Sequence, residues 1–91
     1  MATVLIVDDD PKLLKMLQRT LMYEGFRVFS ASNGHAALSE VQARRPDVIV
    51  LDWLMPGLDG LGVLERLRAA GDKTLVPVSY THLTLPTSDL V

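Results

Sequence analysis

Thr3-Val4-Leu5-Ile6-Val7-Asp8-Asp9-Asp10-Pro11 and Val48-Ile49-Val50-Leu51-Asp52 are the stretches that decide the fold. Each is a continuous apolar, largely β-branched run that ends on aspartate. A run without polar alternation suits a strand covered on both faces, as in a parallel sheet. After the first run, Asp10 and Pro11 read as N-cap and first helical position, because the carboxylate accepts from free backbone N–H groups and proline has none to lose. Leu14, Leu17 and Leu21 then recur on one helical face, and Gly25 stands where a left-handed C-cap is wanted.

Between the two stretches the alternation repeats. Phe26-Arg27-Val28-Phe29 reads as a short second strand, and Ser32-Asn33-Gly34 as the cap of a second helix. Ala37, Leu38 and Val41 form that helix's apolar face. Arg44 and Arg45 fall in its last turn, where cations complement the carbonyl end, and Pro46 stops it. After Asp52 comes a Pro/Gly loop to Gly60. Leu61, Leu64 and Leu67 then mark a third helix closed by Gly71. Three strand–helix units predict parallel strands joined by right-handed crossovers. Leu75-Val76-Pro77-Val78 opens a fourth strand.

Ninety-one residues allow one small domain. With 48% hydrophobic and 22% charged residues, the chain is neither a disordered tail nor a fibrous repeat. A net charge of −2 argues against a basic surface for nucleic acid. The absence of cysteine excludes disulfides, thiolate zinc sites and a cysteine nucleophile. No apolar run is long enough to span a bilayer, and acidic residues arrive too early for a secretory signal, so a cytoplasmic domain away from membranes is expected.

Chemistry concentrates where carboxylates gather. In open α/β sheets ligands bind outside the carboxyl ends of strands. If the first and third strands are adjacent, Asp8 and Asp9 come within reach of Asp52. Three close carboxylates repel, and a divalent cation neutralises them; oxygen-only ligands favour magnesium over zinc or copper. Taken alone, Asp8 and Asp9 fit a helix cap as well as a site. Asp59 reads as the cap of the third helix. His35 and His82 have no ligand partner at useful spacing, Met16, Met22 and Met55 read as gap-fillers or loop residues, and Trp53 reads as a half-buried loop aromatic.

Leu51-Asp52-Trp53-Leu54-Met55-Pro56-Gly57-Leu58-Asp59-Gly60 resembles the phosphorylation-site loop of two-component response-regulator receiver domains. Val4-Leu5-Ile6-Val7-Asp8-Asp9-Asp10 resembles that family's first strand and acidic pair. The resemblance runs from Thr3 to about Val78 and implies a flavodoxin-like, doubly wound parallel sheet. It also implies that Asp52 takes a phosphoryl group from a sensor histidine kinase and that an output domain or downstream protein is switched. Asp9 then binds Mg2+ directly, Asp8 holds it largely through water, and the backbone carbonyl of Leu54 completes the protein ligands. Pro56 and Gly60 shape the loop.

The family pattern also calls for a Ser or Thr at the end of a fourth strand and a Lys at the end of a fifth. The hydroxyl position falls on His82, with Thr81 one residue early, and no lysine follows Lys73. The sheet is therefore expected to be incomplete, with about four strands and three helices, lacking the fifth strand and last helices. From Thr74 onward there are four threonines, two serines, two prolines and one formal charge, Asp89. Ser79 to Ser88 resembles translated sequencing-adapter read-through. The expected division is a partial receiver domain at 1–78 and a non-native or unstructured tail at 79–91. Such a chain is expected to be marginally stable or insoluble and poor at switching. Two rival readings are a haloacid-dehalogenase-type phosphohydrolase, which wants a second Asp where Leu54 stands, and a receiver-like interaction domain that takes no phosphate.

Overall fold

The computed structural model describes residues 1–52, 55, 57–74, 76, 78 and 79. Their elements are β1 (Thr3–Val7), α1 (Pro11–Tyr23), β2 (Arg27–Ala31), α2 (Gly34–Arg44), β3 (Val48–Asp52), α3 (Gly60–Ala69) and β4 (Val78–Ser79). All strand pairs are parallel, in the order β2-β1-β3-β4. This is the flavodoxin-like doubly wound arrangement that the receiver resemblance implies. The chain leaves β1 toward β2 and leaves β3 toward β4, so the crossovers diverge at the seam between β1 and β3. Position 79 lies beside Asp52 in the register of β3 and β4.

Strand alternation divides the core into two layers. Leu5, Val7, Ala31, Ile49 and Leu51 face α2 and α3, where Ala37, Val41, Val63 and Leu67 close over them. Ile6 and Val28 face α1 and meet Leu14, with Leu17, Leu21 and Val50 partly covered.

The three helix starts match the cap chemistry. Asp10 accepts from the Lys12 N–H at 3.0 Å, Asn33 from Ala36 at 2.8 Å and Asp59 from Gly62 at 2.9 Å. Three details differ from the pattern reading. Phe26 precedes the second strand instead of opening it. Its N–H donates to the Leu21 carbonyl while Gly25, at φ +95°, donates to Met22, so both residues belong to a Schellman cap of α1. Strand pairing instead extends to Ala31, opposite Val7. Arg45 lies just past α2 as a left-handed C-cap at φ 48°, a conformation that costs a non-glycine residue about 1 kcal/mol. Leu61 is 42% exposed, and Val63, fully buried, takes the core position in its place.

Candidate functional site

Two backbone turns bring the acidic residues together. Asp8 follows β1 directly; its N–H donates to the Ala31 carbonyl at 3.1 Å, which extends the β1–β2 ladder by one bond. Its Oδ1 accepts from the Asp10 N–H at 2.9 Å and bends the chain into α1. Asp10 is thereby committed to capping, while Asp9 is left exposed at the rim. Asp52 is the last residue of β3. Since Val7 pairs with Leu51, positions 8 and 52 are the next to come alongside at the carboxyl ends of the two central strands.

The result is a three-carboxylate cluster. Asp8, Asp9 and Asp52 each offer an oxygen within 4.8 Å of the others, the only such group of potential metal ligands among the described residues. Asp8 and Asp52 are 2% and 1% exposed. At that spacing two buried anions repel by roughly 3–4 kcal/mol even at an effective dielectric of about 20. Burying like charges at one rim is sustainable when a cation shares them. An all-oxygen set with one exposed member, Asp9, suits Mg2+, which keeps several waters and takes few protein carboxylates. The residues fit the ion.

The loop beyond Asp52 is tied down at described points. Met55 is buried in the α2–α3 core, Gly57 adopts φ +76°, Leu58 packs on the same core and Asp59 caps α3. Gly60 is buried at the first position of α3. Trp53, Leu54, Pro56, Thr81 and His82 lie outside the described residues. His35 is exposed on α2 and takes no part in the cluster. One contact has no signal in the sequence: Leu58 lies against Gly34 at the start of α2. Neither periodicity nor a motif announces a loop resting on a distant helix.

The other end of the sheet is chemically different. A cavity of about 530 Å3 lies between the ends of α2 and α3, lined in part by Arg45, Pro46, Asp72 and Lys73. There the Thr74 hydroxyl and N–H both donate to Asp72, holding its carboxyl below the usual carboxylate range. Arg68 and Arg45 add to that lowering. The cluster of acids is at the opposite rim.

Residues 4–85 match the family model described as the response regulator receiver domain. The chain belongs to that family. A probable transcriptional regulatory protein, TcrX, of Mycobacterium tuberculosis is 45% identical over 67 residues, covering 74% of this chain and 29% of the relative. The response regulator MprA of Mycolicibacterium vanbaalenii is 45% identical over 69 residues, covering 76% and 30%. This receiver chain therefore spans about 30% of the length of the curated relatives it matches. The Vibrio cholerae chemotaxis protein CheY4 superposes with a TM-score of 0.88 at 33% identity, over 99% of this chain and 76% of that one. The Thermotoga maritima response regulator TrrA, solved in complex with Mg2+-BeF, gives 0.82 at 33% identity, over 99% and 77%. Receivers bind Mg2+ at an acidic cluster, take phosphoryl groups from sensor histidine kinases and are generally not enzymes beyond their own phosphorylation. No helix among the described residues is long and apolar enough to cross a membrane.

Proposed function

We propose that this chain is the phosphoacceptor module of a two-component relay, with Asp52 as the acceptor and a sensor histidine kinase as the donor. What carries the reading is the convergence of Asp8, Asp9 and Asp52 at the β1–β3 seam of a receiver fold. A carboxylate has no proton to shed at neutral pH, so its attack on phosphorus needs no general base. An Asp52 oxygen forms the new P–O bond as the P–N bond of a phosphohistidine breaks, and the imidazole leaves with the bonding pair. Asp8 and Asp9 hold the cation, with the Leu54 carbonyl as the further protein ligand that the family pattern assigns. Mg2+, when bound, neutralises charge on the transferring phosphoryl oxygens. Burial of Asp52 within the rim limits water at the acyl phosphate.

The reading extends to an output domain or downstream protein in the longer relatives' manner, in the cytoplasm, with no nucleic-acid contact by this segment. Neither the phosphohydrolase nor the phosphate-free alternative gains support from the relatives. We assign the receiver portion to residues 1–78 and treat 79–91 as foreign to it; a longer sequence of the same locus tests that division.

The decisive experiment exposes the chain to acetyl phosphate or beryllofluoride with Mg2+ and follows intact mass and fluorescence. One adduct is expected on the wild type and none on Asp52→Asn. An adduct that persists in Asp52→Asn, or a wild type that gains none, overturns the assignment. Mg2+ at ten times its dissociation constant should also raise unfolding stability by about 1.4 kcal/mol, and Asp8→Asn should abolish that increment.

A further inference from the structure

Five glycines of this chain fall into two groups. Gly25, Gly57 and Gly71 have positive φ, and a β-carbon on any of them would meet nothing within 4 Å. Their role is torsional. Gly34 and Gly62 are kept for space. A β-carbon on Gly34 would overlap the Leu58 carbonyl oxygen and stand 2.8 and 2.9 Å from Leu58 Cβ and Cγ. On Gly62 it would stand 2.6 Å from Leu58 Cδ1. Leu58 is thus seated between the first turns of two helices. The seat is rigid on one side, where backbone meets backbone, and yielding on the other, where only the tip of a side chain is in the way.

We propose that Gly34 is a positioning residue for the phosphoacceptor site: by admitting the Leu58 backbone against α2, it sets the height of the loop that leaves Asp52. The proposal rests on the reading of Asp52 given above. Met55 is sunk into the core shared with α2 and α3, Asp59 caps α3, and Leu58 is the described loop residue whose backbone lies against α2 at Gly34. A methyl at position 34 displaces the Leu58 carbonyl, and that shift is transmitted toward Asp52 through a loop only a few residues long. Mg2+ demands near-ideal octahedral geometry, so a sub-ångström shift at Asp52 is enough to weaken it.

The fold makes this coupling specific. Gly34 follows β2, an edge strand that carries no site residue, yet α2 crosses to the layer that covers β3. A residue far from the carboxylates in strand order therefore bears directly on their loop. Its expected effect resembles that of groups that orient metal ligands from behind, about 10-fold or more in ion affinity.

The test titrates Mg2+ into the full chain, reading fluorescence of Trp53, the single tryptophan, next in sequence to Asp52. Amide exchange of Met55 and Leu58 is followed in parallel without metal. Gly34→Ala should lose at least about 10-fold in Mg2+ affinity and speed exchange at both amides. Gly62→Ala should stay within about 3-fold, because a leucine tip can rotate away. Gly71→Ala introduces backbone strain far from the loop and should retain wild-type affinity. If Gly34→Ala fails to fold, Leu58→Ala decides, since it removes the side chain that anchors the Leu58 backbone beside Gly34, adds no volume, and should weaken Mg2+ comparably. Wild-type affinity and exchange in folded Gly34→Ala, or wild-type affinity in Leu58→Ala when only that variant folds, overturns the positioning role. A wild type that binds no Mg2+ overturns the phosphoacceptor reading itself, a result visible before any variant is made.

Discussion

The sheet buries its two faces unequally. Toward α2 and α3, Leu5, Ile49, Leu51 and Val63 are completely inaccessible to solvent, and Met55 from the site loop joins them. Toward α1, Ile6 is sealed, but Leu14 and Val28 sit at 9% and Leu17, Leu21 and Val50 are covered only in part. Met16, Met22 and Tyr23 on α1 are more than half exposed. Stability is thus stored mainly on one side, the side that also anchors the loop after Asp52. The acidic cluster straddles the seam, with Asp8 and Asp9 leading into the thin layer and Asp52 leading into the thick one.

Core truncation separates the faces most sharply. Leu5→Ala in the thick layer should cost about 3–4 kcal/mol, against about 1–2 kcal/mol for Leu17→Ala in the thin one. For a domain holding only about 5–15 kcal/mol, the first change should remove about a quarter or more of the total. Urea titrations of the two variants check the ranking, and equal costs would dissolve the distinction between the layers.

Capping gives a smaller contrast. Asp59→Ala and Asp10→Ala each remove a carboxylate that satisfies N–H groups at a helix start, worth about 1 kcal/mol. Asp10→Ala should fray its helix further, since α1 has less packing to hold its first turn. Amide exchange in the first turns of α1 and α3 measures the difference. Faster fraying in α3 would reverse the assigned order.

The smallest effect lies at the rim away from the acids. Asp72 has its carboxyl lowered chiefly by the Thr74 hydroxyl and N–H. A lowered folded value contributes stability that is fully present above the usual carboxylate range and is lost as pH falls through the lowered value. Asp72→Asn should therefore cost a few tenths of a kcal/mol at neutral pH. The gap from wild type should close in acid. A gap that widens on acidification would contradict the sign.

Much of this was legible because local and global signals agree. Asp10-Pro11, Asn33 and Asp59 announce helix starts whose capping bonds are present in the structure. The unbroken apolar runs of β1 and β3 mark strands buried on both faces, and parallel crossovers then bring Asp8 and Asp52 to one rim. What escaped reading depends on competition or on tertiary contact. Phe26 looks like strand but is held by the cap of α1. Leu61 and Val63 are both apolar, and only the direction of α3 against the sheet decides which is buried. Arg45 takes a left-handed turn that composition would give to glycine or asparagine. The meeting of Gly34 with Leu58 is set by how two helices and a loop settle on one layer, and no window of sequence contains both partners' surroundings.

The parallel pairing of β1 with β3 has a temporal consequence as well. Asp8 leaves the ribosome 44 positions ahead of Asp52. A nascent chain that ends before β3 holds half of an ion site and no acceptor. Affinity for a divalent ion therefore works as a clock for the longest-range step of assembly: helical signal from α1 and α2 can rise early, but ion capture waits for β3 to dock.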